Sequence, residues 1–545
     1  MKKRIFLSVL FSLAWIFVFA TVNAFRGTTN SNWGTNTNWT QNTVPTNADG
    51  FVTTFDASSP NCTLNVTGNC QSLDFTGFTN ILAMGTNGLT ATSGTITFQA
   101  GQSSRITGST GSLTLANTTS ITANGGTWPL ALLSSVSSTK TLTGTLTVTG
   151  LFTCSTTTQT WTGGTLICNG GITLTGAMSG TCAVTLGGGT LQGAGIQSCA
   201  MTFSGTNTVS GSVTLNGGIT ATSSTTTTTG STVTITASST INTGSIITWN
   251  NITFNATTTF TLGSALNLSG TLSLSLSPTF SGAFDISCGN LSVNSSGGTV
   301  TMSGNITSSG TISSGGATAT IFNGAFNVNA TGSVSIGTNW SGTATLNYTG
   351  TGTFQGATGA SILAMNTTIN TAGATFGSFT YRTNTLTWTA IGTSTFGSMT
   401  LALNTAPTMT VNCTVLTIPT LSMNLGSTNT TINGSQGFTI TNYSAVPGAA
   451  TKVTWQANNT YTISSSILIT TTLALTHTWV SSSPATQYKV TLTNGATCDV
   501  GFATVTDCDS SQGATVWNYK GTDSNTKNWN ILPTQPATVG ATFTN

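Results

Sequence analysis

The densest group of chemically capable side chains in this sequence lies near its C-terminus. Asp499, Asp507, Asp509 and Asp523 make up half of its eight acidic residues, and all eight are Asp. Asp507-x-Asp509-x-Ser511 followed by Gly513 has the makings of a calcium loop, because hard cations take oxygen ligands from tightly turned chain. The EF-hand pattern fails: no Glu closes the loop, and the glycine comes one place late. Asx-turns that close a cap account for the same residues. Calcium at Asp507, Asp509 and Asp523 is therefore one reading, and turn chemistry with no cofactor is the other.

Elsewhere the means of catalysis are thin. Between Asp74 and Asp499 the only carboxylate is Asp285. A glycosidase needs two acids flanking the scissile bond. The cations of the body, Arg105, Lys140, Arg382, Lys452 and Lys489, lie far apart in sequence. The one histidine, His477, sits in an alternating run from Leu473 to Trp479 and is expected on a pleated surface. Ser and Thr abound, but a nucleophile needs a base and an orienting group. The expectation is a protein that is not an enzyme. Zinc is disfavoured by the lack of any Cys-x-x-Cys. The net charge of +3 includes Lys2, Lys3 and Arg4, so the remainder is near neutral. No basic stripe exists to neutralise a nucleic-acid backbone.

Ten cysteines follow the N-terminal segment. Cys182-Ala-Val-Thr-Leu186 is echoed by Cys199-Ala-Met-Thr-Phe203, 17 residues on. On adjacent strands of a stacked sheet such a pair lies about 5 Å apart, within disulfide reach. Cys62 with Cys70, and Cys498 with Cys508, are local candidates near the two ends. The alternative is a ladder of reduced, buried cysteines.

The elements that must hold these residues are short strands. Leu272, Leu274 and Leu276 alternate with Ser, and Ile252 with Phe254 flanks Thr. Such alternation between Gly and Asn clusters marks half-buried strands. Thr suits their outward positions. Gly-Thr-Leu recurs at Gly144, Gly164, Gly189 and Gly270. Offsets that drift over roughly 17–25 residues suit the coils of a β-solenoid. The expected fold is all-β, an elongated parallel β-helix with terminal caps; the alternative is a tandem β-sandwich array. Thr225–Thr229 and Thr232-Val-Thr-Ile-Thr236 could line a regular face, as in ice-binding solenoids, or simply fill strand surface.

A basic start, an apolar run from Ile5 to Val22 and the small-residue site Val22-Asn23-Ala24 read as a secretory signal peptide cut after Ala24. An uncleaved anchor is the alternative. The expected organisation is signal peptide 1–24, N-terminal cap 25–60, solenoid body 61–490, C-terminal cap 491–531 and loose tail 532–545. The chain is expected outside the cell or on its surface, with no membrane insertion after cleavage.

The opening Asn32-Trp33…Asn38-Trp39…Val44-Pro45, with Cys70-Gln-Ser-Leu-Asp74, resembles the start of large exported bacterial repeat proteins. These are the autotransporter-passenger and haemagglutinin-like group. The closing run from Asp507 to Asn528-Trp529 is similar to their ends. The resemblance implies a right-handed parallel β-helix with a surface or adhesive role, and brings no catalytic residues. No C-terminal translocator barrel of amphipathic strands and no anchor motif accompanies it.

These observations lead to a secreted or cell-surface structural or adhesive protein, with copies of itself or surface glycans as partners. The alternative is a polysaccharide- or ice-binding module. A β-helix polysaccharide-degrading enzyme and a phage fibre rank lower; a signal peptide argues against a virion part.

Overall fold

In a computed structural model the chain is a parallel β-solenoid. Residues 21–532 are described, less 118–119, 156–157, 245, 283, 294–298 and a series of short stretches between 303 and 474. From 314 to 407 the strands are described by backbone alone. The chain divides into two compact units, Met1–Val233 and Thr234–Asn545.

In the first unit each coil from Ser112 to Cys168 contributes three short strands, each paired with its counterpart one coil on; from Ala183 the third and first strands merge into one, Ala183–Gln192. One face stacks Leu89–Ala91, Ser112–Leu115, Ala131–Ser134, Phe152–Cys154 and Ile172–Leu174. A second stacks Thr95–Thr97, Ser120–Thr122, Thr139–Thr143, Gln159–Thr162 and Met178–Gly180. A third runs from Thr127–Trp128 through Thr145–Val148 and Thr165–Cys168 to Ala183–Gln192, Met201–Val209 and Ile219–Thr227. All these ladders are parallel, which rules out the tandem sandwich, whose sheets are antiparallel.

The period-2 pattern explains why these segments are strands. Successive side chains point to opposite faces. Leu146 and Val148 are fully buried, whereas Thr145 and Thr147 are half-buried on the outside. Across the coils Leu146, Leu166, Val184, Met201 and Ile219 form one inward column. The repeat is uneven: Leu89 pairs with Leu113, 24 residues on, and Val184 with Met201, 17 on. The difference is taken up at corners and at bulges such as Leu186/Gly188. At the corner after Ser179, Gly180 adopts φ 113°, and a Cβ there would fall 2.0 Å from the Trp161 carbonyl oxygen. Only glycine fits that approach.

The second unit repeats the design. Ile252, Leu272, Leu291 and Ile312 form an inward column. Phe254 meets Phe260 and Phe280 with ring centroids 4.7 Å apart in each case. Toward its end the core turns aromatic: Trp455 lies 4.6 Å from Tyr461 and 5.2 Å from Trp479. Among the described residues the only helical segments are two 3-10 turns, Asn36–Asn38 and Gln102–Arg105. None of these residues forms a helix long and apolar enough to cross a membrane.

The two Asn-Trp motifs of the opening region build one compact end. Trp33 and Trp39 are fully buried, their rings 4.8 Å apart edge to face. The buried Asn38 amide donates to the Asn32 carbonyl at 2.7 Å and accepts from the Thr29 N–H at 3.0 Å. This region is already in the ladder, because Val52–Thr54 pairs with Ser72–Asp74. The ladder begins earlier still: Val22–Ala24, inside the segment read as a leader, pairs with Val52–Thr54. The tail beyond Leu532 lies outside the described residues.

Candidate functional site

The acidic C-terminal region is held together by its own turns. Asp507 has φ 56°, a left-handed conformation that Asp tolerates better than most residues. Its carboxylate accepts from the Ala485 N–H at 3.0 Å and from the Asn525 amide. Asp509 accepts from the Ser511 N–H at 2.9 Å and hydroxyl at 2.6 Å, an Asx-turn two residues long. Its other oxygen lies 3.3 Å from Lys527 Nζ. Burial alone would raise the Asp509 pKa, but the Ser511 and Lys527 contacts hold it below the usual value. Asp523 is exposed and accepts from the Thr526 hydroxyl. Asp499 lies elsewhere, beside Leu468 in the ladder, and burial raises its pKa.

The three carboxylates of the calcium reading thus accept from separate partners, Asp509 and Asp523 within their own turns and Asp507 across coils. Among the described residues no three His, Cys, Asp or Glu side chains gather as a metal site. The same i to i+2 Asx closure occurs at Asp49 with Phe51, Asp56 with Ser58 and Asp74 with Thr76. Turn formation is the common use of Asp in this chain.

Cys62, Cys70, Cys182, Cys199, Cys498 and Cys508 are all buried free thiols. Cys62 and Cys70 lie in separate ladders, opposite Leu82 and Ala91. Cys498 and Cys508 pair with Ile467 and Tyr488 on different faces. Cys182 and Cys199 keep the 17-residue offset of the ladder that follows them. Burial pushes Cys199 and Cys508 to about 12 and Cys182 to about 11, which suppresses the thiolate that oxidation requires. Cys413 lies outside the described residues.

His477 is not on the pleated surface; it is fully buried. It occupies the first place of the strand His477–Ser481, in phase with Trp479, so both point inward. Its Nε2 lies 3.0 Å from the Tyr443 hydroxyl and its Nδ1 2.9 Å from the Thr451 hydroxyl. Trp479 Nε1 donates to the Tyr443 oxygen at 3.2 Å. A neutral imidazole protonated on Nδ1 satisfies the whole chain of donors. Burial lowers its pKa to about 4, so it stays neutral at physiological pH.

Lys140 is the group that composition alone overlooks. It is fully buried on the strand Thr139–Thr143, in phase with Leu142. Nζ donates to the Ser138 hydroxyl at 2.5 Å and reaches toward the Val136 carbonyl at 3.4 Å. The Trp161 ring lies 6.0 Å away. Burial lowers the Lys140 pKa to about 8, opposed by the nearby Cys154.

The remaining candidate is a surface. On the third face of the first unit Thr127, Thr147, Ile167, Thr185, Thr202 and Thr220 stand directly over one another. All six are half-buried and outward-facing. Adjacent members sit one strand spacing apart, about 4.8 Å. The result is a rank of methyl and hydroxyl groups broken once by Ile167. The Thr225–Thr229 run continues out of the strand Ile219–Thr227 beside this rank. Asp285 is exposed. The side chain of Arg382 lies outside the described residues.

No protein family, curated protein or solved structure matches this chain.

Proposed function

We propose that this chain is an exported structural or adhesive solenoid that works through a charge-poor, hydroxyl-rich surface and not through catalysis. The observation that carries this reading is the threonine rank, in which the ladder register keeps Thr over Thr for most of six coils. Thr is a good outward strand residue, and a near-neutral surface favours association over colloidal repulsion. The autotransporter-passenger and haemagglutinin-like likeness of the two ends points the same way. The partners of this reading are further copies of the chain or surface glycans, outside the cell or on its surface, and nucleic acid is not among them.

The test is binding of the purified chain to cells and to a glycan array, together with sedimentation over a range of concentrations. Self-assembly or glycan binding that is weakened by Thr147→Lys and Thr185→Lys supports the reading. A strictly monomeric protein that binds neither cells nor glycans overturns it. The rank itself favours one second reading, a polysaccharide- or ice-binding face. Inhibition of ice recrystallisation, lost in the same two variants, would select ice over adhesion.

A further inference from the structure

The sequence offers two places at which a leader could be cut, and the fold distinguishes them. Leader-cleaving proteases read small residues at the third and first positions before the cut. Val22-Asn23-Ala24 supplies Val and Ala at those positions, and so does Val18-Phe19-Ala20.

A cut after Ala24 removes part of the folded structure. Val22, Asn23 and Ala24 form a strand in register with Val52, Thr53 and Thr54. The Thr21 carbonyl accepts from the Val52 N–H at 3.1 Å. Ala24 is tied to Thr40 both ways: its N–H donates to the hydroxyl at 2.9 Å, and its carbonyl accepts from the Thr40 N–H at 3.0 Å. Asn23 is fully buried. Its amide donates to the Thr43 carbonyl at 2.8 Å and accepts from the Gln41 N–H at 3.1 Å. Loss of these residues strips partners from Thr40, Gln41, Thr43 and the whole strand Val52–Thr54. Buried polar groups left without partners are costly. It also exposes the edge of the end coil, which solenoids must cover.

A cut after Ala20 keeps every one of these contacts. Val22 is 48% exposed at the new terminus, so an ammonium one residue before it meets solvent.

We propose that the Ala20–Thr21 peptide bond is the processing site of this chain and that residues 21–24 belong to the mature fold. The step is hydrolysis. The C–N bond breaks, water gives its hydroxyl to the Ala20 carbonyl and a proton to the Thr21 nitrogen, and a carboxylate and an ammonium result. This rests on the export reading above.

The experiment is N-terminal sequencing of the full-length chain after expression in a bacterium with a general export system. The expected sequence is Thr-Val-Asn-Ala-Phe. A chain beginning Phe-Arg-Gly overturns the proposal but leaves export standing; a chain retaining Met1 overturns both. Two variants separate the sites. Val22→Asp blocks recognition before Phe25 at an exposed position, and its product is still expected to start at Thr21. Ala20→Trp is expected to lose that start completely. An unprocessed Val22→Asp chain, or an Ala20→Trp chain that still yields the wild-type terminus, overturns the assignment.

Discussion

The core of the first unit contains a lysine where that of the second contains a histidine, and the two are accommodated in different ways. Both occupy inward positions on their strands, Lys140 in phase with Leu142 and His477 in phase with Trp479. His477 has a hydrogen-bonding neighbour at each nitrogen and carries no charge at neutral pH. Lys140 has three donors to place, one close partner in the Ser138 hydroxyl and a distant carbonyl, and remains largely charged at pH 7. A parallel solenoid core can therefore absorb a polar side chain cheaply only when that side chain becomes neutral and its neighbours complete its bonds.

The contrast can be broken by experiment. His477→Ala takes the imidazole partner from the Tyr443 and Thr451 hydroxyls and opens a cavity, so a loss of about 3–4 kcal/mol is expected. Native-state hydrogen exchange of the strands Thr439–Ala445 and Thr451–Trp455, which carry those hydroxyls, would measure it.

The next effect is on pH dependence. His477 has a folded pKa of about 4 against 6.5 when unfolded. The unfolded state binds the proton first, so stability falls as pH drops from 6.5 to 4, by about 3 kcal/mol at 1.36 per unit. Lys140 has a folded pKa of about 8 against 10.5. The same linkage makes the Lys140 contribution rise with pH between 8 and 10.5, by up to about 3 kcal/mol, against the buried cysteines, whose raised pKa values lower stability above about pH 9. Urea midpoints across both windows test the pair. A difference between the native chain and Lys140→Met that stays flat from pH 8 to 10.5 would refute the lysine half.

Lys140→Met should be neutral or stabilising at pH 7, by up to about 3 kcal/mol, and that advantage should shrink as pH rises from 8 to 10.5. Gln197 offers a neutral version of the comparison. It is buried between Met178 and Leu215 in its ladder, with neither end of its amide bonded. Gln197→Met should gain about 1–2 kcal/mol, read as a higher melting temperature. The half-exposed pair Arg26–Asp56, at 2.9 Å, sets the baseline. Arg26→Ala should cost less than about 1 kcal/mol, and less still at high salt.

The fold was legible because period 2 and Gly-Asn punctuation are local signals. The offset of the Cys182 and Cys199 echo is the real coil length at that point. The two buried polar residues were also within reach, because Lys140 keeps step with Leu142, and His477 with Trp479. Strand parity decides which face a side chain takes, whatever its polarity. What spacing alone could not supply was chemistry across coils. Asp507 meets Asn525 and Ala485, and His477 meets Tyr443 and Thr451, through contacts set by stacking. The proposed processing point was illegible for a simpler reason: Val-x-Ala occurs twice near the start, and only the strand Val22–Ala24 separates the two.

The unequal coils have a consequence for the gene. A coil in this protein is defined by what stacks on its neighbours and not by how many residues it spends, since 17 and 24 both close a turn. Surplus residues are parked at corners and bulges, where they leave the facing columns in register. Single-codon insertions and deletions at those corners should therefore pass without consequence, and whole coils should be gained or lost by recombination. Within a strand the same one-codon change would turn every later side chain of that strand to the other face, up to the next corner.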